Sequence, residues 1–218
     1  MATLYTAETG NGRKPLILVK LLNAPIKIHL FEWPSKEIKS EQYLKLNPNG
    51  LVPTFVDGEV GSIFESNAIL EYIAAKYDKE GKFSYKEHED LKLYWHQKEW
   101  LYFQASQFAA HTLSRGIYYN QMNPNDEFTK ENVLHNFSKL YDVMEDQLAK
   151  NESGWLIGDK FTIVDIAFAT GNHRRIEVFA GTDYEISDFD KKYPKVVKWY
   201  ENVLAVDGVK DVLKRIAS

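Results

Sequence analysis

Over its first eighty residues the chain alternates between two hydrophobic periods. The runs ATLYT and IKIHLFEW are short and β-rich, whereas KPLILVKLLN between them, entered through Pro15, repeats its apolar residues at helical spacing. Pro34 closes the second strand, and SEQYLKLN predicts a brief helix ending at NPNG, a turn with Pro and Gly at its centre. LVPTFVDGEV and GSIFES flank the pair Asp57-Gly58, which predicts an antiparallel hairpin. In SNAILEYIAAKYD, Ser66 suits an N-cap and Ile69, Leu70, Ile73 and Ala74 fall on one helical face. The predicted order is β-α-β-α-β-β-α.

Beyond this point the pattern is helical almost throughout. KEGKFSYKEHED is polar and glycine-interrupted, which places a linker at 81–87 between a domain at 1–80 and a second at 88–218. An aromatic-rich helical run extends from about Glu87 to Tyr119, with Phe103, Phe108 and Tyr118 expected in its core. DEFTKENVLHNFSKLYDVMEDQLAK, TIVDIAFATGNHRRIEVFA, YPKVVKWYENVLA and GVKDVLKRIA predict further helices. Thr162 and Asp165 have the spacing of a capping box, with Asp in place of the usual Glu, and point to folding of the second domain and not to catalysis.

Composition removes several kinds of chemistry. The 218 residues include no cysteine, so disulfides, thiolate zinc sites and thiol nucleophiles are excluded, and any sulfur chemistry must use sulfur carried by a ligand. A formal charge of −4 with signs intermixed lacks the clustered basic face that nucleic acid requires. No run approaches the roughly 18 apolar residues of a membrane span, and the first residues show neither a basic n-region nor a continuous h-region. These features predict a cytoplasmic protein without membrane partners. The histidines, His173 in GNHRR among them, lack metal-ligand spacing and carboxylate partners, so no metal is expected. GNGRK matches neither phosphate-loop nor dinucleotide spacing, and Arg13 and Lys14 read as solvated residues at a helix start.

Four stretches carry a family resemblance: NPNGLVPTFVDGE, FESNAILEYIAAKYD, WLIGDKFTIVDIAFA and the loop Thr9-Gly10-Asn11-Gly12-Arg13-Lys14, a T-x-N-G-x-K pattern. Together they resemble the cytosolic glutathione S-transferases over essentially the whole chain, within the nu-class and fungal branch related to the yeast nitrogen-regulation prion protein. The resemblance implies an α/β thioredoxin-like N-terminal domain plus an all-α C-terminal domain, a homodimer, and glutathione as substrate. It also implies a cis Val52-Pro53 bond, whose backbone would pair with the ligand's cysteine.

Glu65 and Ser66 stand where a strand runs into a helix. A capping serine beside a solvated glutamate accounts for them. So does a ligand site, because a helix N-terminus and a hydroxyl suit a carboxylate while Glu65 suits an ammonium, and glutathione's γ-glutamyl end carries both. The loop is equally two-sided. Asn11-Gly12 is a common turn pair whose glycines supply positive φ. Alternatively, Thr9 and Asn11 are the catalytic residues, donating hydrogen bonds that favour a bound thiolate. Tyr5 is the competing hydroxyl, and its place inside the first strand favours a packed side chain.

Two positions depart from the family. Leu51 stands where many relatives have a cation for the glycine carboxylate, and Ile38 where a polar side chain is expected. Lys39, nearby in sequence, and Lys139, at a position where the resemblance suggests an Arg, are the substitutes, and His111 and Arg115 are candidates for a second-substrate pocket. The expected activity is disulfide-bond reduction or conjugation to electrophiles. The alternative is a catalytically silent regulator or interaction module on the same fold.

Overall fold

The structure, a computed structural model, describes residues 1–122 and 126–214, with backbone only at 111 and 112. It divides into two compact units, the first comprising Met1–Ser84 with Ala205–Ser218, the second Tyr85–Leu204.

In the first unit, strands β1 (Thr3–Thr6), β2 (Lys27–Leu30), β3 (Thr54–Asp57) and β4 (Gly61–Phe64) form one sheet in the order β2-β1-β3-β4. β1 and β2 are parallel, which requires a crossover, and helix α1 (Gly10–Leu21) supplies it. β1–β3 and β3–β4 are antiparallel. The short helix α2 (Glu41–Leu44) precedes β3, and α3 (Ser66–Tyr77) follows β4 and packs against α1. Leu4, Phe55, Ile17, Leu18, Ile69, Leu70 and Ile73 are fully buried and form the core between sheet and helices.

The structure changes three sequence expectations here. α1 begins at Gly10, four residues before the run KPLILVKLLN, so the expected turn is the first turn of a helix. Neither Gly10 nor Gly12 has positive φ. Gly12 is required for a different reason: a Cβ there would lie 2.1 Å from the Ala7 carbonyl oxygen. In the β3–β4 hairpin the left-handed residue is Gly61 (φ 77°), after a three-residue connection, and not Gly58. Finally, α10 (Val209–Leu213) packs on α1 through buried Val209 and Leu213, with Lys20 paired to Asp211 at 2.8 Å. Its apolar face therefore joins the first unit, whereas the periodicity places it with the helices of 88–218.

In the second unit, α4 (Leu91–Phe103) runs through a π-helical stretch, Gln104–Ser114, into α5 (Arg115–Met122). α6 (Glu127–Lys150), α7 (Ile163–Phe179), the short α8 (Phe189–Lys192) and α9 (Pro194–Ala205) complete it. α7 is buried almost all round, its own Phe168 included, and Phe108, Phe137, Tyr141 and Trp199 surround it. Phe108 is core as expected, but Tyr118 is 57% exposed. Thr162 and Asp165 form the predicted capping box. The Asp165 carboxylate also accepts from the Leu156 amide at 3.0 Å and the Trp199 indole N–H at 2.8 Å. Among the described residues no helix is long and apolar enough to cross a membrane.

Candidate functional site

Strand register decides which loops meet. Tyr5 lies opposite Thr54, and Thr54 opposite Phe64, so the residues after β1, before β3 and after β4 all leave the sheet at the same edge. The loop with Thr9 and Asn11, the Val52-Pro53 pair and the Glu65-Ser66 junction are therefore brought to one side of the first unit. Val52 packs on the cluster of Ala7, Phe31, Ile38 and Tyr43, which ties the segment before β3 to the loop after β1.

Thr9 is the N-cap of α1. Its Oγ1 accepts from the Gly12 amide at 3.0 Å, leaving the hydroxyl proton free to donate elsewhere. Asn11 occupies the first turn, and its side chain is exposed with no hydrogen-bond partner among the described residues. Pro15 has no N–H to offer the Asn11 carbonyl four residues back. The Val52-Pro53 peptide is cis, as the resemblance implies, and so is Trp33-Pro34.

Glu65 holds φ 77° and ψ 114°, a conformation that costs a non-glycine residue about 1–3 kcal/mol and clusters at binding sites. It, and not Ser66, is the N-cap of α3. Glu65 makes no side-chain cap bond to that helix, and the Ser66 hydroxyl, on its first residue, accepts from a residue of α1. That residue is Lys14, whose Nζ donates to Ser66 Oγ at 3.1 Å and Asn67 Oδ1 at 2.9 Å. Lys14 is 1% exposed and Arg13 2%, so neither is the solvated residue that the polar run GNGRK suggests. The signal was present: Lys14 shares a helical face with Ile17 and Leu18.

Burial pushes the Lys14 ammonium down to about 7, against the opposing pull of the Glu65 carboxylate. Because that value lies below the ordinary 10.5, the ammonium lowers stability fully below pH 7, and the cost fades as pH rises toward 10.5.

Lys39 is exposed, and its ammonium donates to the carbonyls of Gly50 at 2.7 Å and Asn49 at 3.3 Å, next to Leu51. Leu51 is 46% exposed, whereas Ile38 is buried in the cluster under Val52 and is core, not a ligand group. Tyr5 packs against His29, Phe31 and Tyr43. Lys139 on α6 and Arg115 at the start of α5 are exposed in the second unit, and the His111 side chain lies outside the described residues. His173 does have a carboxylate neighbour, Glu177 at 3.4 Å one turn along α7, and Tyr200 at 2.6 Å. No three His, Cys, Asp or Glu side chains gather as a metal site among the described residues.

A thioredoxin-like sheet carrying these loops, followed by a helical unit, is the architecture of one family. Residues 2–75 match the model of the glutathione S-transferase N-terminal domain, and residues 109–215 that of its C-terminal domain. Glutathione S-transferase 2 of Schizosaccharomyces pombe is 30% identical over 99% of this chain and 96% of its own. The crystal structure of a glutathione S-transferase-like protein from Lodderomyces elongisporus superimposes with a TM-score of 0.94 at 49% identity, covering 100% of this chain and 97% of that one. Transferase URE2P6 of Phanerochaete chrysosporium, solved with oxidized glutathione, gives 0.83 at 29% identity, covering 97% and 94%. The chain belongs to the glutathione S-transferase family, among fungal members related to Ure2.

Proposed function

We propose that this protein binds glutathione at the sheet edge of its first unit and uses the glutathione thiolate for disulfide-bond reduction or conjugation to electrophiles. The observation that carries this reading is the convergence of two helix starts, Thr9-Asn11 at α1 and the uncapped Glu65-Ser66 at α3, on one edge of the sheet. Glu65 and Ser66 hold the ligand's γ-glutamyl ammonium and carboxylate, the Val52 backbone pairs with its cysteine, and Thr9 and Asn11 donate to the sulfur. Lys39, already against the Gly50 carbonyl, is assigned to the glycine carboxylate as a cation nearby in sequence, with Lys139 assigned the same role by resemblance. Arg115 and His111 are assigned to the second substrate on the same ground.

Titration with reduced and oxidized glutathione tests the reading. Glu65→Ala and Ser66→Ala are each expected to weaken binding roughly ten- to hundredfold, the effect of losing charge-assisted hydrogen bonds of about 1.5–3 kcal/mol. The circular dichroism spectrum should not change, and unaltered affinity in both variants would remove the assignment.

The catalytically silent reading is favoured by one feature: Leu51, half exposed, stands where a cation for the glycine end is expected. Binding without turnover would select it.

We further propose a cytoplasmic homodimer in which the α3 region packs against the partner's first long helix of the second unit. Support comes from the exposed stripe Leu91, Trp95 and Tyr102 along α4 and from exposed Phe64 on edge strand β4. Light scattering at micromolar concentration should report twice the 25.3 kDa chain mass, and a uniform monomer would count against the dimer.

A further inference from the structure

Lys14 is a fully buried cation on α1 whose ammonium reaches across to α3, donating to Ser66 Oγ and Asn67 Oδ1. An ammonium has three donors and no acceptor, so both of these oxygens must act as acceptors toward it. The consequence for Ser66 is directional. With a lone pair occupied by Lys14, its hydroxyl proton is turned away from the lysine. Asn67 likewise presents its side-chain carbonyl oxygen to Lys14.

These two residues open α3, a twelve-residue helix without a side-chain cap. A neutral core side chain at position 14 would leave the Ser66 hydroxyl free to accept as readily as to donate. It would also avoid the cost of burying a charge, which well-packed apolar replacements often relieve. A lysine here therefore needs an explanation beyond packing, and Glu65 supplies only part of it, being exposed.

We propose that Lys14 is a positioning residue for carboxylate recognition: its buried ammonium fixes Ser66, with Asn67 beside it, as a donor toward an anionic ligand group at the start of α3. This rests on the reading that glutathione's γ-glutamyl carboxylate binds there. Lys14 touches neither the ligand nor the reacting sulfur, and acts through Ser66.

The test uses S-methylglutathione, which carries the γ-glutamyl group but no titrating thiol, and NMR titration of the full chain at pH 6, where Lys14 is held mainly as the ammonium. Ser66→Ala, Lys14→Met and the double variant form a cycle with wild type. Lys14→Met is expected to weaken binding about tenfold or more in the native background and about threefold or less in the Ser66→Ala background. Lys14→Arg, which keeps a buried cation with N–H donors, should bind within about threefold of wild type, a rescue that simple loss of packing does not give. Thermal melts accompany each variant and establish that it is folded, because Lys14→Met removes a desolvation penalty but also takes a donor from Ser66 Oγ and Asn67 Oδ1. Should it fail to fold, Lys14→Gln takes its place in the cycle.

Equal losses in both backgrounds, or none in the native one, would overturn the proposal while leaving the glutathione site intact. It is overturned equally if Lys14→Arg folds normally yet binds as weakly as Lys14→Met. If Ser66→Ala leaves affinity unchanged, the role of Lys14 fails with that of Ser66, and the γ-glutamyl assignment itself fails only if Glu65→Ala is without effect as well.

Discussion

Asp165→Ala is expected to destabilise the protein by about 3–5 kcal/mol, at the upper end of what a single substitution does. The carboxylate is fully buried and accepts four hydrogen bonds: from the Leu156 amide, the Trp199 indole, and both the amide and hydroxyl of Thr162. Truncation strands two backbone N–H groups and an indole N–H in a dry core, each unsatisfied donor costing about 1–3 kcal/mol less whatever relaxation recovers. It also removes half of the box that starts α7, the central helix of the second unit. Asp165→Asn should lose less, since its carbonyl can still serve Leu156 and Trp199 while its NH₂ faces the Thr162 amide. Thermal melts check both: at about 2–4 °C per kcal/mol for a chain of this length, the alanine variant should melt roughly 10 °C lower. A shift of under about 2 °C would show that the four bonds contribute little net stability.

That box was legible in the sequence because a cap is local chemistry: a threonine, an aspartate three residues on and an apolar run behind them. The order of strands and helices was legible for the same reason, each element carrying its own period and its own turn residues. What the sequence hid depends on long-range closeness. Asn11-Gly12 reads as a turn pair, and only the approach of Gly12 to the Ala7 carbonyl, set by how α1 leaves β1, makes it a first helical turn. Ser66 reads as a cap, and only the reach of Lys14 from another helix takes its hydroxyl. Lys14 itself reads as solvated on its charge, although its spacing to Ile17 and Leu18 places it on the buried face. Position outweighs residue type. Ile38 shows the converse, since a residue judged by the role of its family position proves to be core under Val52. Of the candidate site, the strand-edge residues were recoverable from motif and register, while the buried cation beneath them was not.

The loop prediction concerns rate and not stability. Asn11→Ala is expected to slow glutathione-dependent reduction of a small disulfide by roughly one to three orders of magnitude, the upper end matching loss of an oxyanion-hole donor. With no cysteine in the chain, both reacting sulfurs come from ligands. The glutathione thiolate attacks one sulfur of the disulfide, a new S–S bond forms, and the other sulfur leaves as a thiolate. The protein's contribution is to raise the thiolate fraction, and three features point the same way. The start of α1 carries a partial positive charge, the Asn11 amide is exposed and unengaged among the described residues, and the Thr9 hydroxyl accepts from Gly12 while its proton stays available. Thr9→Ala should also slow the reaction, but it removes the α1 cap at about 0.5–2 kcal/mol, so a melt must accompany it. Thr9→Ser keeps both cap and donor and should retain most of the rate. The double variant Thr9→Ala/Asn11→Ala should fall little below the slower single one if the two donors serve one sulfur. A wild type that binds glutathione yet turns nothing over would select the silent reading. Full rates in both single variants would clear the loop of any catalytic part and send the search to the Tyr5 hydroxyl, through Tyr5→Phe.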